Sequence, residues 1–127
     1  MTRVAELDGR VVAFYALSTA AVLRAALPGA LRRNAPDPMP ALLIGQLAVD
    51  LRYQGRGIGS ALVHDAMRGA VRVSQFAGWR LLAVNPDGAQ AASFWAKLDF
   101  VAVPGVSPAL MVLTQTMVRR LLTAAAR

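Results

Sequence analysis

Cysteine is absent from the chain and histidine occurs once, at His64. Disulfides, thiolate catalysis, Cys-ligated zinc and a histidine metal cluster are therefore excluded, and no metal site is expected. Lysine is nearly absent as well: of the fourteen basic residues only Lys97 is not arginine, against seven acidic ones. The uncharged run 11–23 contains Ser18 and Thr19 and is too short to span a bilayer. No basic-then-apolar leader with a small-residue cleavage site opens the chain, so a soluble, cytoplasmic protein is expected. What is present is apolar: 127 residues with 56% hydrophobic content and a mean hydropathy of +0.44 are ample for one packed core, read as a single domain over 1–127. The net charge of +7 and a pI near 11.5 favour a polyanionic partner, a nucleic acid or a multiply phosphorylated cofactor. The plainer alternative is an arginine-biased genome decorating an ordinary surface.

Residues 3–7 and 10–18 flank Asp8-Gly9, a two-residue hairpin signal, because a type I′ turn needs positive φ at both central positions. Residues 20–27 show no clear period and end at Pro28-Gly29. "LRRNAPDPMP" then reads as connection, since proline removes donors and biases the preceding residue to extended conformations. The run 41–49, "ALLIGQLAV", suits a central strand covered on both faces. Ile58, Leu62, Ala66, Ala70 and Val73 recur at helical spacing, with His64, Arg68 and Arg72 on an opposite face, and Gly78 punctuates the end. Strands are expected over 79–84, 100–103 and 110–114, and helices over 90–98 and 117–126. The order predicts a mixed α/β sheet with a crossover through the central helix.

Between the 41–49 strand and that helix stands "QGRGIGS". A strand running through glycines into a helix N-terminus is a phosphate-binding geometry: the first helical N–H groups lack intrahelical partners, and glycines let the amides point inward as a nest. A tight connection needing positive φ is the structural alternative. The P-loop pattern fails because no lysine stands before Ser60 in the required frame. The dinucleotide fingerprint fails because Ser60 stands where its third glycine belongs and the next strand ends at Asn85, with no acid at that end.

The pattern Q/R-x-x-G-x-G/A is met by Gln54, Gly55, Arg56, Gly57, Ile58 and Gly59 directly after Leu47-Ala48-Val49. It resembles motif A of the GNAT N-acetyltransferase superfamily. The resemblance covers almost the whole chain, and it implies a GNAT-like, mostly antiparallel mixed sheet with flanking helices. It also implies acetyl-CoA as substrate: Leu47 and Val49 in the strand that orients the thioester, Gln54 to Gly59 and Ser60 around the pyrophosphate, and Asn85 after the next strand. A narrower resemblance, carried by Arg-Arg-Asn, Pro-Asp-Pro and Leu-Ala-Val-Asp, is to acetyltransferase toxins of bacterial toxin–antitoxin modules. Those acetylate the α-amine of aminoacyl-tRNA and are neutralised by a ribbon-helix-helix antitoxin. The charge fits tRNA independently, with Arg24, Arg32, Arg33, Arg56, Arg68 and Arg72 as candidates for phosphate contact, each equally able to be a solvated surface arginine.

By the same resemblance, acetyl transfer is a direct attack of a neutral amine on the thioester, with a tyrosine protonating the CoA thiolate. "FWAKLDF" places Trp95 where that tyrosine stands, and an indole N–H donates a hydrogen bond but does not release its proton at accessible pH. Tyr53 and Ser93 are weaker substitutes; Tyr15 reads as a sheet residue, Asp50 as a partner of Arg52, His64 as a surface residue, and Asp99 as a tolerant left-handed cap. Family members begin with a strand and two helices that wall the acceptor site, whereas here Met1 nearly starts the hairpin. A misplaced start, a remnant, or a wall supplied by a partner, with a homodimer expected, are the three readings. Two other functions stay open: a catalytically weak module that binds CoA or tRNA, and a general small-amine or peptide acetyltransferase.

Overall fold

Asp8 and Gly9 both take positive φ, 52° and 76°. They join β1 (Thr2–Leu7) to β2 (Arg10–Val22) in an antiparallel hairpin, as their sequence requires. The structure, a computed structural model, describes residues 1–33, 35–74 and 78–125. After β2 come a 3-10 turn (Arg24–Ala26), the short helix α1 (Gly29–Arg32) and β3 (Met39–Val49). A second 3-10 turn (Leu51–Tyr53) leads to α2 (Ile58–Val73), β4 (Leu81–Val84), α3 (Gly88–Lys97), β5 (Val101–Val103), β6 (Leu110–Thr114) and α4 (Gln115–Ala125). The strands form one sheet in the order β1-β2-β3-β4-β6-β5. Among the described residues only the β3–β4 pairing is parallel, and α2 provides the crossover that such a pairing needs.

Leu62, Val63, Ala66, Met67 and Ala70 form the buried stripe of α2. They pack with Tyr15, Leu42, Ile44, Leu82, Val84 and Leu113 on one face of the sheet, closed by Val118 of α4. The alternate residues Ala41, Leu81, Ala83 and Val112 point to the opposite face. There they meet Leu27 and Ala35, with Leu31 of α1 packed against them. Each large side chain removed from water in these layers contributes about 1.5–3 kcal/mol.

Four expectations need correction. β2 does not stop at Ser18 but continues to Val22, because residues 19–22 pair with residues 39–42 of β3. Gly78 does not end the central helix: α2 stops at Val73, and Ser74 N–H closes on the Ala70 carbonyl at 3.0 Å. Residues 75–77, like Asn34 of the Arg-Arg-Asn motif and the end of the predicted 117–126 helix at Ala126, lie outside the described residues. Trp79 does not begin a strand. It is buried, its indole N–H donates to the Ala70 carbonyl at 2.7 Å, and its own carbonyl accepts from the Gln115 side chain at 2.8 Å. Finally, β3 is covered on both faces only as far as Ile44; residues 45–49 are half-buried or exposed.

Candidate active site

That change along β3 has a local cause. Ala16 pairs with Gln46 and Leu17 with Ile44, so Gly45 is an extra residue in β3, a bulge. The last β3–β4 pair is Ile44 with Val84. Beyond it β3 stays paired to β2 through Val49, while β4 has ended, so the sheet splits and the β4-side edge of residues 45–49 faces open space. Leu47 and Val49, two residues apart, share one face and line a cleft of about 700 Å³.

The glycine turn forms the far wall of that cleft. Gly55 and Gly57 have φ of 77° and 80°, the left-handed region where a Cβ is strained. Gly59 is there for a different reason: a Cβ on it would stand 3.4 Å from the Phe94 ring of α3, ordinary contact for alanine but not room for more. The first amide of the α2 start to find an acceptor is Ala61 N–H, on the Gly57 carbonyl at 3.0 Å. Among the described residues, the N–H groups of Gly55, Arg56, Gly57, Ile58, Gly59 and Ser60 have no backbone or side-chain acceptor. These orphan donors at the positive end of a 16-residue helix are the physical fit for a diphosphate. Gln54 ties the turn to the strand, its side-chain amide donating to the Val49 carbonyl at 3.1 Å.

Most of the expected cofactor residues therefore meet: Leu47, Val49, Gln54, Gly55, Gly57, Ile58, Gly59 and Ser60 all line this cleft. Two do not. Arg56 does not line the cleft but lies over the ring of Tyr53, which does, 5.1 Å from its centroid. Asn85 lines a second cavity inside the split, and its amide donates to the Ala109 carbonyl at 2.9 Å, tying the end of β4 to the start of β6.

Trp95 is buried and serves the end of α3. Phe100 N–H returns to the Trp95 carbonyl at 3.2 Å and Asp99 N–H to the Ala96 carbonyl at 3.0 Å, with Asp99 at φ 72°: a Schellman cap. The cap's hydrophobic pair is Trp95 with Phe100, ring centroids 5.0 Å apart and edge-to-face. The Trp95 ring also lines both the cleft and the second cavity. Tyr53 lines the cleft, whereas Ser93 is exposed outside it.

The remaining titratable groups are committed elsewhere. Asp50 caps the second 3-10 turn through Arg52 N–H at 2.9 Å, and the hydrogen-bonded Arg52 guanidinium holds its carboxyl below the usual range. Tyr15 is fully buried and donates to Asp65 of α2, which also pairs with Arg3 at 3.0 Å. Burial, then the hydrogen bond to Asp65, pushes the Tyr15 phenol up to about 12. His64 Nδ1 lies 2.9 Å from the Ser60 carbonyl.

The arginines fall into separate groups. Arg24, Arg32 and Arg33 surround α1 on one side of the sheet, and Arg24 reaches the Ala35 carbonyl at 3.4 Å. Arg68 and Arg72 lie on α2, across the sheet, where Arg68 is 3.8 Å from Asp65. Among the described residues no group of three or more side chains could hold a metal, and no helix is long and apolar enough to cross a membrane.

A six-strand mixed sheet split at a bulge, with a glycine turn delivering unpaired amides beside the split, is a GNAT-like α/β fold. Residues 2–102 match the family described as "Acetyltransferase (GNAT) domain", and the chain belongs to that family. It is similar to the tRNA-acetylating toxin of Mycobacterium tuberculosis (strain ATCC 25618 / H37Rv), 44% identical over 97 residues. That match takes in 76% of this chain and 58% of the relative, so the chain spans less than two thirds of the relative's length. Among solved structures it resembles AtaT complexed with acetyl-methionyl-tRNAfMet, with a TM-score of 0.82 and 27% identity over 91% of this chain and 69% of that one. It also resembles a tyrosine-to-phenylalanine mutant of AtaT bound to the C-terminus of the antitoxin AtaR and acetyl-CoA. There the TM-score is 0.75 and the identity 26%, over 89% of this chain and 66% of that one.

Proposed function

We propose that this chain is an acetyl-CoA-dependent N-acetyltransferase of the toxin type that acetylates the α-amine of aminoacyl-tRNA. The observation that carries the reading is the continuous cleft from the unpaired amides of residues 55–60 to the open edge of β3 at Leu47 and Val49. Acetyl-CoA supplies the activated acetyl group. Gly55, Gly57, Ile58, Gly59 and Ser60 bind its diphosphate, Gln54 keeps the turn registered on β3, and the open edge of β3 orients the thioester and polarises its carbonyl. Trp95 shapes the junction without acting as an acid. The likeness to a protein that acetylates tRNA and to AtaT with acetyl-methionyl-tRNAfMet supports the acceptor class, as does the net charge of +7.

Arg24, Arg32, Arg33, Arg68 and Arg72 are the proposed phosphate contacts, as two separate groups, with Arg56 at the rim of the cofactor cleft. An antitoxin of the ribbon-helix-helix class is the proposed protein partner, supported by the AtaT–AtaR complex. A homodimer is proposed from the uncovered apolar surface near β1 and β2, where Val4, Val11 and Leu51 are 53%, 51% and 84% exposed. The test of function is incubation with labelled acetyl-CoA and either charged or uncharged tRNA. Label on charged tRNA alone, falling steeply as salt rises, is expected. Acetyl-CoA binding with no transfer to any amine leaves a binding module, a reading favoured only by Trp95.

A further inference from the structure

The split sheet holds a second cavity of about 470 Å³, bounded by Phe14, Gly45, Gln46 and Val84, on the other side of the residues that close the cofactor cleft. The two spaces share four residues: Leu47, Asp87, Ala91 and Trp95. Of these only Asp87 carries a charge, and among the described residues it is the one charged residue that lines either space. Asp87 is exposed, so its carboxylate is reachable from solvent as well as from both spaces, and among the described residues no arginine pairs with it. Its oxygens are uncommitted among the described residues: Asp87 stands at the N-cap of α3 in an extended conformation yet makes no capping hydrogen bond, and no basic group lies within ion-pairing distance. A carboxylate cannot be there to hold the diphosphate, which it repels. It is placed to meet a cation that enters from the second cavity.

Resting on the acetyltransfer reading above, we infer that Asp87 is a catalytic residue that receives the acceptor's α-ammonium and carries its proton. An α-amine with a pKa near 7.7–8.0 arrives largely protonated at neutral pH. One proton leaves to solvent, and the neutral amine forms the N–C bond to the thioester carbon. The adduct's nitrogen then gives its second proton to the Asp87 carboxylate. That proton passes to sulfur as the C–S bond breaks, leaving amide, free thiol and one proton in solution. This assignment supplies the acid that Trp95 cannot be.

The experiment uses methionine methyl ester, whose α-amine and ester mimic an aminoacyl terminus, alongside charged tRNA. Asp87→Asn is expected to bind acetyl-CoA within twofold of wild type by calorimetry and to lose about 10²–10⁴-fold in kcat/KM. Its activity should rise with pH through the amine's own pKa as wild type's does, because that proton leaves to solvent in both, while Asp87→Glu retains at least a tenth of wild-type kcat/KM. An Asn variant within threefold of wild type in kcat/KM overturns the role of Asp87 and leaves the transferase reading intact. A wild-type protein that binds acetyl-CoA but acetylates neither acceptor overturns both.

Discussion

Among the described residues Tyr15 is the largest side chain with no exposed surface, and its hydroxyl links the β1–β2 hairpin to α2 through Asp65. The raised phenol pKa has a definite consequence for stability. The protonated, hydrogen-bonded form is favoured by folding, so its contribution is complete below the ordinary tyrosine pKa of 10 and is lost as pH rises toward about 12. Tyr15→Phe should cost about 1.5–3 kcal/mol at neutral pH, the usual worth of a hydrogen bond to a charged group. The difference from wild type in urea midpoint should shrink between pH 10 and 12. A difference independent of pH over that window would show that the cost is packing alone.

At the scale of elements, the glycines of the turn divide into two kinds, and substitution separates them. Gly57→Ala forces a Cβ into the left-handed region and should cost about 1–2 kcal/mol of stability along with acetyl-CoA affinity. Gly59→Ala adds a methyl at ordinary contact distance from Phe94 in a helix that prefers alanine, and should bind acetyl-CoA within about twofold of wild type. Thermal melts and calorimetry on the pair check this; equal damage from both would mean that the turn is not the cradle described. Much of this was legible in the sequence wherever a residue's own backbone preference decides the outcome. Asp8-Gly9 makes its turn, Asp99 takes its left-handed cap, and Asp50 pairs with Arg52. The bulge was not read, although a lone glycine in "LLIGQLAV" is its signal. Trp79 was misplaced because its partners, Ala70 and Gln115, are nine and thirty-six residues away and no local pattern encodes them. Asp87 carries no local signal in the sequence, since its place between the two spaces is a property of the folded cleft.

For the whole molecule, the two groups of arginines lie on opposite sides of the sheet, so the basic charge is not one patch aimed at the cleft. The exposed apolar residues Val4 and Val11 belong to the hairpin half, and Leu51 opens the 3-10 turn that leads into the glycine turn, on a surface shared with Val11. If that surface joins two copies, sedimentation at micromolar concentration should report a dimer that Leu51→Asp with Val11→Asp dissociates, and a monomeric wild type rules it out. The family accounts for the cofactor cleft; whether the cleft completes a reaction rests on the junction of Asp87 and Trp95. The most direct measurement is acetyl transfer from labelled acetyl-CoA to charged against uncharged tRNA, for wild type and Trp95→Tyr. Label on the charged species alone, in wild type and undiminished in the tyrosine variant, is the expected result. Measurable acetyl-CoA binding with no label on either tRNA, in either protein, would contradict it.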